Sequence, residues 1–102
     1  MSKISQVFKL KDEIDYKENS IEMKAIEGVK LLGTLMAFDK GQEIPTHTAK
    51  GCAFVTCLDG KGEITIRDEK FILSQGDSII IEALAPHSVK ALEKYKMLLI
   101  VG

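Results

Sequence analysis

A chain of 102 residues can bury one hydrophobic core and has no length for a second. Its hydrophobic fraction of 45% and charged fraction of 28% are those of an ordinary globular domain, which excludes a disordered or lipid-immersed chain. With 14 Lys plus Arg against 15 Asp plus Glu and a net charge of −1, the chain has no field to gather nucleic acid or an anionic membrane, so neither is expected as a partner.

In chain order, residues 1–8 mix Lys, Ser and Gln with isolated apolar residues and lack the roughly 7–15-residue apolar run of a signal peptide. The longest late apolar run, residues 97–101, is far short of the roughly 20 residues of a membrane span. A cytoplasmic protein is the expectation. Residues 8–16 are charged and irregular and predict a short helix or an edge segment, after which Ile21, Met23 and Ala25 begin an alternation; residues 1–28 therefore read as an edge strand or cap. Residues 29–38 are nearly all apolar and predict a buried strand, closed by Asp39-Lys40-Gly41 with its turn chemistry.

Residues 53–58 are a second apolar run, closed by Asp59-Gly60-Lys61-Gly62, and residues 63–67 alternate polar and apolar, so the two read as consecutive strands. A two-residue turn at Asp68-Glu69 would set Ile66 opposite Phe71 and Ile64 opposite Leu73, keeping both pairs on one face. Gln75-Gly76-Asp77 turns the chain into Ile79-Ile80-Ile81, Pro86 interrupts, and residues 96–101 make the last strand. Helical periodicity is weak throughout, which makes the class all-β, a barrel or a sandwich. Leu35, Val55, Cys57, Ile64, Ile66, Ile79, Ile81 and Met97 are the candidate filling of its interior. Cys52 and Cys57 fit neither a redox C-x-x-C nor a zinc pair; on one strand they point to opposite faces, which predicts two reduced thiols.

The residues that could carry chemistry are His47 and His87, each close to a proline at a strand end, in Pro45-Thr46-His47 and Pro86-His87. A neutral imidazole is as readily a hydrogen-bonded residue as a ligand, so the pair alone leaves both roles open. The spacing around them resembles the cupin family. That family's first motif runs Gly, five residues, His-x-His, three or four residues, Glu, six residues, Gly; here Gly41, His47 and Gly60 hold the frame. The second-His position is Ala49 and the Glu position Ala53, or Phe54 with a gap of four. The second motif runs Gly, five residues, Pro-x-Gly, two residues, His, three residues, Asn; Gly76 and His87 match, with Glu82, Leu84 and Ala91 in place of its Pro, Gly and Asn.

The resemblance implies a single-domain cupin-type jelly-roll β-barrel for the 102-residue chain, with residues 29–101 as the cupin core, and a homodimer. Phe54, Thr56 and Leu58, outward by parity, would supply an apolar outer surface for a second copy. It also implies a site at His47, Ala49, Ala53, Val55, Cys57 and His87 from which two of the family's usual metal ligands are missing. Cys57 lies about 13 Å along the strand from Ala53 at about 3.3 Å per residue. Cys52 turns inward only through a bulge near Lys50-Gly51, and Glu43 and Glu82 read as solvated.

Three functional readings follow. The first is an apolar pocket near His47 and His87 that binds a small organic ligand, with the imidazoles as polar anchors. The second is a metal-dependent enzyme of dioxygenase, isomerase or decarboxylase type, with a divalent ion on His47 and His87. The third is a structural barrel with a vestigial site.

Overall fold

A computed structural model of the chain describes residues 5–26 and 33–102, so residues 29–32 of the expected second strand lie outside the described part. The elements are a 3-10 turn at Leu10–Glu13 and seven strands: β1 Ile21–Ala25, β2 Gly33–Phe38, β3 Glu43–His47, β4 Ala53–Ile66, β5 Glu69–Ser74, β6 Ser78–Ile81 and β7 His87–Val101. Every pairing is antiparallel.

The architecture follows from two long strands that bend together. The first part of β4 pairs with β6 on one side and with the end of β7 on the other; its second part pairs with β5 and with the start of β7. Strand β7 likewise pairs with β3 at its start and with β2 from Tyr95 onward. Two layers result, ordered β1-β2-β7-β4-β6 and β3-β7-β4-β5, which is the expected jelly-roll barrel.

The Asp59-Gly60-Lys61-Gly62 stretch, expected to separate two strands, is instead the corner within the single strand β4, marked by register shifts between Cys57 and Asp59 and between Gly60 and Gly62. The glycines are there for close approach. Gly60 holds φ +74, and a Cβ on it would stand 1.6 Å from the Lys94 carbonyl oxygen; one on Gly62 would stand 2.6 Å from the Tyr95 ring. The β4–β5 hairpin also differs from expectation. Its turn is Arg67-Asp68, with Arg67 at φ +55, and Ile66 pairs with Glu69, Ile64 with Phe71 and Gly62 with Leu73. The slip is two residues, so the same side chains still face inward.

The interior is packed by Met36, Phe38, Val55, Ile64, Ile81 and Met97 among others, with Ile66 and Ile79 partly buried against them. Leu35 belongs elsewhere: with Ile14 and Ala37 it forms a second cluster on the outer face of β2, joined by Leu10, Tyr16, Leu58 and Leu98. The N-terminal segment is strapped over that face. The Tyr16 hydroxyl donates to Asp59 Oδ2 at 2.7 Å, and the buried Lys96 donates through Nζ to the Lys11 carbonyl at 2.7 Å while lying 4.8 Å from the Tyr16 ring centroid. Leu58, expected on an open outer surface, is therefore covered by the chain itself.

Candidate functional site

His47 and His87 are direct cross-strand partners on β3 and β7, with ring centroids 4.3 Å apart and planes inclined at 58°. Strand parity alone would separate His47 from Ile44, three residues earlier, onto opposite faces. Between Ile44, paired with Val89, and His47, paired with His87, β3 spends one residue more than β7. That bulge lies at Pro45-Thr46, where proline's missing N–H costs the ladder nothing, and it turns His47 to the same side as Ile44.

Both imidazoles are held in the same way. His47 Nδ1 lies 3.0 Å from the Pro45 carbonyl oxygen and His87 Nδ1 lies 2.9 Å from that of Ala85, each two residues back. A carbonyl only accepts, so Nδ1 carries the proton in each ring, and in the neutral imidazole Nε2 keeps its lone pair. Leu84, at the glycine position of the second motif, holds φ +67 in the turn that presents the Ala85 carbonyl.

The rings border a cavity of about 240 Å³ lined by Met23, Met36, Ile44, Val55, Ile81, Val89, Met97 and Leu99 besides the two histidines. His47 and Met23 are exposed at its rim, while His87, Met36, Val55, Ile81, Val89 and Met97 are buried at its base. Apart from the imidazoles, the described side chains that line it are all hydrocarbon or thioether. Wider hollows, such as that along residues 66–69 and Phe71, are open surface with no such convergence.

Of the six expected site residues, His47, Val55 and His87 line the cavity. Ala53 is buried opposite Ile81 and does not line it, and Ala49 is half-buried in a loop whose carbonyl accepts from the Leu84 N–H at 2.8 Å. Cys57 is buried toward the corner, where its Sγ lies 3.4 Å from the Asp59 carbonyl oxygen and 3.7 Å from that of Gly60, and burial pushes its pKa up to about 11. Cys52 is exposed, and Glu82 pairs with Arg67 at 3.2 Å on the surface. Met23, Met36, Ile44, Ile81, Val89, Met97 and Leu99 complete the wall. Alternation puts them inward, but only the cross-strand register puts them at one depth.

A family model described as a cupin domain matches residues 34–101. The chain belongs to the cupin family. This cupin is 35% identical to a conserved Streptococcus pyogenes protein of unknown function, over 95% of this chain and 86% of that one, with a TM-score of 0.87. A cupin 2 conserved barrel domain protein from Leptotrichia buccalis is 37% identical over 93% of this chain, with a TM-score of 0.83; the match spans 47% of that chain, about half its length. The salicylate 1,2-dioxygenase of Pseudaminobacter salicylatoxidans, at 19% identity, 66% of this chain, 19% of that chain and a TM-score of 0.64, shares the fold alone. No curated protein matches the chain.

The divalent ion that the cupin motif implies does not fit these residues. Among the described residues no three His, Cys, Asp or Glu side chains come together. Ala49 and Ala53 stand at the two missing ligand positions, and among the described residues no carboxylate lines the cavity to offset a dication. Two imidazoles fall short of the three protein ligands of a catalytic zinc and of the two His and a carboxylate of a non-haem iron site.

Proposed function

We propose that this cupin is a binding module that holds a small, mainly apolar molecule in the cavity beside His47 and His87. The observation that carries the reading is a pocket whose walls, among the described residues, are apolar except for two adjacent imidazoles, each with Nδ1 committed to a carbonyl and, in its neutral form, an Nε2 able to accept. A volume of about 240 Å³ limits the guest to a single ring with short substituents, since an apolar cavity of about 150 Å³ takes benzene. The fitting guest carries a hydroxyl or N–H donor at one end for the histidines and hydrocarbon at the other for Ile44, Ile81, Val89 and Leu99. With its two free thiols we place the protein in the cytoplasm, and the exposed Phe54, Ile80 and Ile100, on the part of the outer sheet face beyond the N-terminal strap, support a homodimer.

The test is a melting-temperature screen of monocyclic phenols, aromatic acids and cyclic alcohols, repeated on protein with labelled Met and Ile methyl groups. A ligand at about 100 times its Kd stabilises the fold by about 2.7 kcal/mol, a shift of several degrees or more in a domain of this size. The expected hit moves the methyl resonances of Met36, Met97 and Ile81 and loses affinity in His87→Ala. If no compound of these classes moves those methyls, the reading is wrong.

A further inference from the structure

The cavity wall is soft as well as apolar. The chain has four methionines, and every one after Met1 lines this cavity, as do both of its histidines. The three form a single rung: Met23 is the cross-strand partner of Met36, and Met36 that of Met97. Directly opposed residues on one sheet face hold their Cβ atoms about 4.5–5.5 Å apart, so the thioethers are neighbours across three strands. Met36 and Met97 are 3% and 2% exposed, whereas Met23 is 67% exposed at the rim.

Among the described residues, the side chains that border this small space thus bring together two imidazoles, each with Nδ1 turned to a carbonyl, and three thioethers. This set discriminates strongly among ions. Thioethers are poor ligands for Zn²⁺, Fe²⁺ or Mn²⁺ and good ones for Cu(I), which imidazole also suits. Charge points the same way. The cost of taking an ion out of water rises with the square of its charge, and among the described residues no carboxylate lines the cavity to offset it, so a monovalent ion is favoured over a divalent one. The two imidazoles are also neighbours, with ring centroids 4.3 Å apart on directly paired residues of β3 and β7, so both belong to the same end of the cavity.

We propose that His47, His87, Met36 and Met97, with Met23 at the rim, form a Cu(I) site. Its ligand set differs from the imidazole and carboxylate set of the cupin motif, and two of its sulfurs come from β2 and β7, outside the motif. The proposal does not depend on the organic guest, because it uses donor atoms rather than cavity volume. With the ion in place, a guest's polar end would meet the ion.

The experiment is an anaerobic competition titration of the tag-free chain against ferrozine, a Cu(I) chelator of moderate affinity. It uses a Cys52→Ser background, because the exposed thiol would take Cu(I) by itself. One Cu(I) per chain is expected, held more tightly than Zn(II), with shifts of the labelled Met36 and Met97 methyl resonances on addition of the metal. Met36→Leu/Met97→Leu keeps the side-chain volume and removes both sulfurs; it should weaken Cu(I) at least tenfold with the melting temperature little changed, and His47→Ala should weaken it as well. Three results would each overturn the proposal: no Cu(I) retained against the chelator, undiminished affinity in the double leucine variant, or binding lost only on Cys57→Ser. Failure here leaves the methyl-shift screen with organic guests unaffected, and the reverse also holds.

Discussion

Cys57 has a clear direction of pH dependence. Its thiol is 1% exposed beside the β4 corner, and burial is the main cause that raises its pKa from 9.0 to about 11. The unfolded chain therefore ionises first. The stability that this group contributes is fully present below pH 9 and is lost as pH rises toward 11. Burial also raises Tyr16 and Tyr95 above the usual tyrosine range, which adds to the same trend at higher pH. Melting temperatures taken from pH 7 to 11 should fall above pH 9, and Cys57→Ala should flatten the curve between 9 and 11 while lowering it at pH 7 through the cavity it opens. Cys52→Ser, at an exposed position, should leave the slope unchanged; equal slopes in all three proteins would refute the assignment. Cys57 also marks how far the site was legible. His47 and His87 stood out because their spacing from Gly41 and Gly76 fitted a known frame. Parity could not show that Ala53 and Cys57, on the same face as Val55, sit at other depths of the barrel.

The strands were legible through alternation and their bends were not. The alternation at Ile64 and Ile66 and at Phe71 and Leu73 gave the correct inward face, while the hairpin register slipped by two because Arg67, an unlikely turn residue, accepts a left-handed φ of +55. Gly60 and Gly62 looked like punctuation for the same reason: glycine serves turns and close backbone approach alike, and sequence alone does not say which. Two substitutions separate the roles. Gly41→Ala and Gly60→Ala both place a side chain at positive φ, +85 and +74, but a Cβ on Gly41 meets nothing within 4 Å whereas one on Gly60 meets the Lys94 carbonyl oxygen at 1.6 Å. The first should cost about 1–2 kcal/mol, the price of the left-handed backbone. The second should cost about 3 kcal/mol or more, since β4 and β7 must part at the corner, and should show as a melting temperature lower by roughly 10 °C or more. Equal losses in urea titrations of the two variants would mean that the corner is not a close contact.

At the scale of the molecule, the outer face of the β1-β2-β7-β4-β6 layer is covered over only part of its area. The N-terminal strap buries Leu35 and Ala37 there. Beyond it Ile80, Phe54 and Ile100, which are register partners across β6, β4 and β7, stay 69%, 36% and 38% exposed. A row of large apolar side chains across three adjacent strands is an unfavourable surface to leave in water, and antiparallel layers ordinarily keep one face polar or covered. A second copy of the chain offers the same row, so a two-fold contact would match apolar to apolar without a new surface being needed. Light scattering behind size exclusion should therefore return twice the chain mass for the parent. Phe54→Glu should return a single chain that still melts cooperatively, because its side chain points away from the core. Ile72→Glu, equally polar and at a position 58% exposed on the opposite layer, should leave the dimer intact. A parent that elutes as a single chain at tens of micromolar would remove the dimer, and dissociation by Ile72→Glu but not by Phe54→Glu would move the contact to the other layer.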